Sequence, residues 1–379
     1  MIDESYLEEF SVSVRGLAQD KIAPHAASYD RESRFPEESL QAFKQLGLVG
    51  LAFPEEVGGQ GGDVLAQCVA LEELGRVCAS SSLVLMVTWA GLVPIAKHGS
   101  PELIDEVIRP AMAGDTVASI CLTEPHGGSN LFGLKTRAEL DGNGWKLNGQ
   151  KRYISNAGRS DWYTVLAKTG EKAFGLFAVH KNDPGITIGK KESKLGIKGS
   201  PTADVILEDC RIPAHRVVGD PSLGNAYITE SLTWTRALIG AQALGIAQGA
   251  FDQATQYTSQ REQFGQSLSK FQMIRGMVGD LATQIEAGRS LLYRGARAID
   301  TGDTRSRTLC SMAKLFCSDT AMKVSVDALQ LHGGAGYLTD FPIERMMRDA
   351  KITQIYEGAN EIQKLIIAKD IYARNEQAT

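Results

Sequence analysis

Residues 141–149 read Asp141-Gly142-Asn143-Gly144-Trp145-Lys146-Leu147-Asn148-Gly149. Two glycine-bearing tight-turn signals enclose a short apolar-polar alternation, the pattern of turns around a strand and not of a helix. Residues 162–167, 174–179 and 203–207 are further strand candidates joined by turn-rich segments. A small β domain is therefore expected from about residue 117. On both sides of it the period becomes helical. Ile274, Val278, Leu281 and Ile285 recur every three or four positions and so share one helix face. Residues 237–254 and 310–331 repeat the pattern with small residues that permit close helix contacts. The first third reads as helices broken by Gly and Pro, including the loop Gly58-Gly59-Gln60-Gly61-Gly62, which lacks the Lys-Ser/Thr ending of a phosphate-binding loop. The expected organisation is mostly α with a central β domain: residues 1–116 helical, 117–230 β, and 231–379 a helical bundle.

A chain of 379 residues is too long for one ordinary core, and its 43% hydrophobic content needs no covalent staples. A formal charge of −5 offers no electrostatic footprint for nucleic acid. The six cysteines, at 68, 78, 121, 210, 310 and 317, lack CxxC or Cys/His ligand spacing, which argues against a metal site or a disulfide framework. They read as reduced. The acidic start Met1-Ile2-Asp3-Glu4-Ser5 is neither a signal nor a transit peptide. No uninterrupted apolar run approaches the roughly 20 residues that cross a bilayer. A cytoplasmic protein is expected, or a mitochondrial matrix one if a leader has been removed.

The chemistry is carried near the C-terminus by Ile355-Tyr356-Glu357-Gly358-Ala359-Asn360-Glu361. A carboxylate between a Tyr and a helix-breaking Gly suits a base held at an element end, although most Glu residues are solvated surface charges. Upstream stand Cys121-Leu122-Thr123-Glu124-Pro125-His126-Gly127-Gly128-Ser129-Asn130, then Arg152-Tyr153-Ile154-Ser155-Asn156, Arg261-Glu262-Gln263-Phe264-Gly265 and Gln330-Leu331-His332-Gly333-Gly334. No GxGxxG joins a strand to a helix, so a nicotinamide fold is not indicated.

With these five motifs in this order, the chain resembles the acyl-CoA dehydrogenase family of flavoproteins over roughly residues 1–375. The resemblance implies an N-terminal helical domain, a middle β-barrel or sandwich domain and a C-terminal four-helix bundle. It also implies FAD. Ile120, Leu122 and Thr123 would run along the flavin ring, Gly128 and Ser129 would approach the pyrophosphate, and Tyr153 and Ser155 would cover one flavin face near N5. The family commonly has Trp and Thr at the last two places. Arg261 and Phe264 resemble a pair that reaches a neighbouring subunit's FAD, with Gln330, Gly333 and Gly334 at its adenosine-pyrophosphate end. Ala359 and Glu361 would complete the cofactor contacts. A homotetramer is thereby implied.

The resemblance further implies that Glu357 removes the α-proton of an acyl-CoA thioester while the β-hydrogen leaves as hydride to flavin N5. Electrons would pass to electron-transferring flavoprotein. The family's alternative location for the base matches Thr235, which cannot serve, so Glu357 is the only acid in either slot. Glu124 borders the flavin motif without matching the base. Arg236 resembles a CoA contact, and Ser129, Thr233, Tyr356 and Gly358 would also meet substrate. Residues 82–89 align with the acyl tunnel, where Met86 and Trp89 would shorten it if they point inward. A short or branched acyl group is the resulting expectation. His126 and Asn130 depart from the family's usual Gly-Ala-Gly-Ser-Asp run. Alternatives left open are an oxidase using oxygen, a non-redox eliminating relative on the same fold, and an idle scaffold.

Overall fold

The computed structural model describes residues 4–378. Its first third is helical: α1 (Glu4–Leu17), α2 (Ala23–Arg31), α3 (Glu37–Leu46), α4 (Val64–Val77), α5 (Ala79–His98), and the single turns α6 (Pro101–Leu103) and α7 (Arg109–Ala111). The glycine loop between α3 and α4 folds back on its own approach. The amides of Gln60, Gly61 and Gly62 donate to the carbonyls of Gly50, Phe53 and Leu51. With its donors satisfied internally, it is a structural turn and not an anion cradle.

Helix α5 corrects one expectation. An 18-residue window of this 20-residue helix has a mean hydropathy of 1.7, which satisfies the length and composition of a membrane span, but 94% of that window is buried inside the fold. Apolar all round, α5 is a core helix.

The middle domain holds β1 (Ala118–Cys121), β2 (Arg137–Asp141), β3 (Gly144–Ser155), β4 (Trp162–Lys168), β5 (Phe174–His180), β6 (Ile186–Ile188), β7 (Thr202–Pro213) and β8 (Val217–Val218). They form one sheet in the order β6-β7-β3-β2-β4-β5-β8, with β1 added parallel to β4. The domain has its own core around Leu147, Val165, Phe177, Val179 and Leu207. The first of the two turn signals joins β2 to β3. The second does not turn: Asn148-Gly149 lies inside β3 at a register shift against β7. Gly149 sits at φ +154, and a Cβ there would lie 2.4 Å from Thr136 Oγ1. Glycine serves here as a bulge that brings two backbones together.

The last third comprises α8 (Gly224–Gln260), a hairpin of β9 (Glu262–Gln263) and β10 (Gln266–Ser267), α9 (Gln272–Asp300), α10 (Ser306–His332), α11 (Ile343–Thr353) and α12 (Asn360–Ala378). Helix α8 starts ahead of residue 231, where the bundle is expected from sequence. Residues 224–230 lack a clear apolar period, yet Gly224, Ile228, Ser231 and Thr235 fall on one buried helical face. Close packing of α8 on α4 depends on small residues: a Cβ on Gly245 or Gly249 would lie 2.2 or 2.1 Å from the Glu72 or Arg76 carbonyl oxygen. On α9, Leu281 and Ile285 are buried, with Ile274 and Val278 at the margin of the core.

Candidate active site

After α11 the chain enters the left-handed region at two successive residues, Glu357 (φ 50) and Gly358 (φ 91), before α12 begins at Asn360. A non-glycine residue adopts that conformation at a cost and keeps it only when its surroundings over-determine it. Here they do. The Asn360 amide donates to the Gln354 carbonyl at 3.0 Å, and the Gly358 carbonyl accepts from Lys314 Nζ at 2.9 Å and from Gln363 Nε2 at 2.8 Å.

This turn presents the Glu357 side chain to a cavity of about 1020 Å³ between the three domains. Thr235 Oγ1 donates to Glu357 Oε2 at 2.9 Å. Burial pushes the carboxyl above its ordinary value, against the opposing pull of the Thr235 hydrogen bond and of the Arg236 and Lys314 charges. A carboxylate raised by desolvation is a stronger base than one in water. The Glu357 amide bonds no protein acceptor among the described residues. It remains available to an oxyanion.

The β domain supplies the facing wall. The segment 122–124 is pinned by Lys151, whose fully buried Nζ donates to the Leu122 carbonyl at 3.2 Å and to Glu124 Oε1 at 2.9 Å. Glu124 also accepts the amides of Lys135 and Thr136 at 2.6 and 3.0 Å. Burial alone would raise its carboxyl, but Lys151 and these donors hold it below the ordinary value. At the other side, the Thr123 carbonyl accepts the Arg152 amide at 2.8 Å. A second register shift in β3, between Lys151 and Ile154, coincides with Tyr153 at φ 58 and turns it onto the cavity wall.

Ile120, Leu122, Thr123, Gly128, Ser129, Tyr153, Ser155, Arg236, Tyr356, Glu357, Gly358 and Ala359 all line this one cavity. The hydroxyls of Thr123, Ser129 and Ser155 have no protein partner among the described residues. Buried Arg236 Nε is likewise unpartnered. Free donors beside a flat aromatic cover suit the polar edge and ring of a flavin, and the orphaned guanidinium nitrogen suits a polar or anionic ligand.

Several sequence candidates lie elsewhere. Thr233 lines a separate cavity of about 300 Å³, at the edge of the helical stripe whose Thr229, Leu232 and Arg236 meet the main one. Met86 and Trp89 also point away. Trp89 is fully buried and donates Nε1 to the Val49 carbonyl at 2.9 Å, while Leu83 and Val87, one turn apart, line the cavity. His126 stays exposed, 3.7 Å from Glu124 Oε2, and Asn130 is exposed nearby. Arg261, Phe264, Gln330, Gly333, Gly334 and Glu361 are exposed and outside the cavity lining. Phe264 and Gly265, at φ 52 and 75, form the two-residue loop of the β9-β10 hairpin, which leaves the Phe264 ring 93% exposed.

Sequence reasoning missed Lys314, Lys151 and Gln363. Lys314 left a signal: it shares the buried face of α10 with Cys310, Cys317 and Ala321, where an unneeded ammonium would not persist.

Three family models match in series: the acyl-CoA dehydrogenase N-terminal domain over residues 5–115, the middle domain over 119–210 and the C-terminal domain over 223–372. A Mycobacterium tuberculosis protein described as "Probable acyl-CoA dehydrogenase FadE25" is 47% identical over 366 residues, covering 96% of this chain and 94% of the relative. Cyclohexane-1-carbonyl-CoA dehydrogenase of Geobacter metallireducens is 43% identical, covering 95% of each chain. The solved butyryl-CoA dehydrogenase of Megasphaera elsdenii superposes with a TM-score of 0.94 at 34% identity, covering 98% of this chain and 99% of that one. The chain belongs to the acyl-CoA dehydrogenase family, and its cofactor is FAD.

Proposed function

We propose that this enzyme carries out α,β-dehydrogenation of an acyl-CoA thioester to a trans-2-enoyl-CoA, with Glu357 as the base. The observation that carries this reading is Glu357, a carboxylate made more basic by burial, on the wall of the cavity that gathers the flavin-motif hydroxyls. Glu357 takes the α-proton. Its own amide, free of a protein acceptor among the described residues, would donate to the thioester oxygen and stabilise the charge that develops there. Bound FAD supplies the acceptor for the β-hydrogen, which leaves with its electron pair. Thr123, Gly128, Ser129, Tyr153 and Ser155 would hold the cofactor, with Ala359 near it through the backbone, and Arg236 would bind the CoA moiety. Electron-transferring flavoprotein is the proposed acceptor of the electrons.

Leu83 and Val87 make the α5 side of the cavity apolar and free of charge, which favours a neutral acyl group over a dicarboxylic one. A short, branched or ring-bearing acyl chain fits this wall, and one relative acts on cyclohexane-1-carbonyl-CoA. Assembly as a homotetramer is part of the proposal: Arg261, Phe264, Gln330, Gly333 and Gly334 stand exposed where a second copy's FAD could be met. A cytoplasmic setting agrees with six buried, unpaired thiols. The test is anaerobic flavin bleaching across a panel of butyryl-, isovaleryl-, cyclohexane-1-carbonyl- and longer-chain CoA thioesters, followed by reoxidation with electron-transferring flavoprotein or with air. Bleaching by none of them removes the dehydrogenase reading. Rapid reoxidation by air assigns an oxidase.

A further inference from the structure

The face of α10 that packs into the bundle carries one ammonium, Lys314, whose side chain is fully shielded from solvent. Its ammonium lies 2.9 Å from the Gly358 carbonyl oxygen and 2.8 Å from Asn360 Oδ1. Both acceptors are neutral, so no direct ion pair compensates the buried charge. The charged groups that face Lys314 among the described residues are Glu357 from the loop, Asp319 from α10 itself, Glu361 from α12 and Arg236 from α8, with none from α9 or α11. Around Glu357 stand Arg236 and the Thr235 hydroxyl from α8, Lys314 from α10 and the Tyr356 phenol of its own loop. Arg236 in turn faces Arg307 of α10 and Asp370 of α12.

We propose that Lys314 is the positioning residue of the base: its ammonium clamps the Gly358 carbonyl from behind, holding the Glu357-Gly358 turn, and its buried positive charge favours ionised Glu357. The inference rests on Glu357 being the base. Asn360 fixes the clamp in place, since it accepts Lys314 through Oδ1 and donates through Nδ2 to Ser318 Oγ at 2.9 Å and to Asp319 Oδ1 at 2.8 Å. Burial pulls Lys314 down to about 8, with the Glu357 charge as the largest opposing influence. A cation wired to the back of the turn keeps the carboxylate ionised without touching the lone pair that takes the proton. A direct Lys-Glu bond would occupy it.

The experiment compares Lys314→Met, Lys314→Arg, Glu357→Gln and the Lys314→Met/Glu357→Gln double variant as FAD-loaded enzymes. Flavin reduction by acyl-CoA is followed against pH, and melting temperatures are recorded in parallel. Lys314→Met is expected to raise the apparent pKa of the base by about one unit and to slow reduction about tenfold at neutral pH. Lys314→Arg should restore the pH profile because it keeps the charge. The melting shifts of the single variants should fail to add in the double variant. A wild-type pH profile and rate in Lys314→Met overturns the proposal, and so do additive melting shifts. If Lys314→Met does not fold, the double variant decides: recovery of a folded protein supports charge coupling, and failure makes Lys314 purely structural. A Glu357→Gln enzyme with the wild-type rate sinks the base itself, whereas an inactive Glu357→Gln beside an unaltered Lys314→Met sinks only the role of Lys314.

Discussion

Glu124 and Glu357 are both enclosed carboxylates on one cavity, and they behave as opposites. Glu124 has an ammonium at 2.9 Å and two backbone amides within 3.0 Å, so its carboxyl is held low. Glu357 has one hydroxyl at 2.9 Å and no direct ion pair, so burial prevails and its carboxyl is raised. The lesson is that partner count, more than burial, separates a structural anion from a base. Glu124 ties β3 to the flavin-motif loop. Glu357 keeps an oxygen for a proton.

The most severe way to break this contrast is Glu357→Gln. It keeps the shape and an acceptor for Thr235 but cannot take a proton, so the rate of flavin reduction by acyl-CoA should fall at least ~10²–10⁴-fold. FAD content and acyl-CoA binding should persist, as read by absorbance and by ligand titration. Reduction at the wild-type rate would move the base elsewhere.

Glu124→Gln should act on stability instead. It strands the fully buried Lys151 ammonium, and breaking a buried pair in this way costs about 3–5 kcal/mol, read as a lower midpoint in denaturant. Because the Glu124 carboxyl is held low, its stabilisation is complete above the ordinary 4.5 and is lost as pH falls through the lowered value. The wild-type and Glu124→Gln midpoints should therefore converge in acid. A variant of wild-type stability at neutral pH would show that the pair contributes nothing.

Thr235→Val sharpens the comparison by taking from Glu357 its only hydroxyl donor. A hydrogen bond to a charged group is worth about 1.5–3 kcal/mol. The carboxyl should rise further and the pH profile of reduction should move up by about one unit. An unmoved profile would mean that the bond does not tune the base.

The smallest effect is on the stability of Glu357→Gln. A raised carboxyl means that the native state keeps a proton the unfolded chain has lost, so stability declines as pH rises from 4.5 through the raised value. Gln removes that penalty. Glu357→Gln should melt a few degrees above wild type at neutral pH, with the difference vanishing toward pH 4.5. A lower melting temperature at neutral pH would mean that Glu357 stabilises the fold.

Much of the architecture was legible in one dimension because periodicity is local. Short apolar runs at 162–167 and 174–179, bounded by turn-rich segments, mark β4 and β5, and the three-to-four spacing of Ile274, Val278, Leu281 and Ile285 marks α9. Asn148-Gly149 misled because a glycine that permits a turn equally permits a bulge, and only the proximity of Thr136 distinguishes them. Met86 and Trp89 misled for a related reason. On a helix buried all round, bulk does not indicate direction, and Leu83 with Val87 faces the cavity only because α5 is rotated that way in the packed molecule.

The order of motifs and the identity of one acid in the base position were determined by sequence, since both are properties of residue type and spacing. The chemistry of that acid was not. Glu124 and Glu357 are the same side chain, and only tertiary structure gave one of them Lys151 and the other Thr235, with Lys314 behind its turn at one neutral carbonyl's remove. Those partners lie 27, 122 and 43–44 residues away along the chain. A carboxylate's basicity depends on the charges and donors within a few ångströms of it, and across such separations only the fold decides which ones those are.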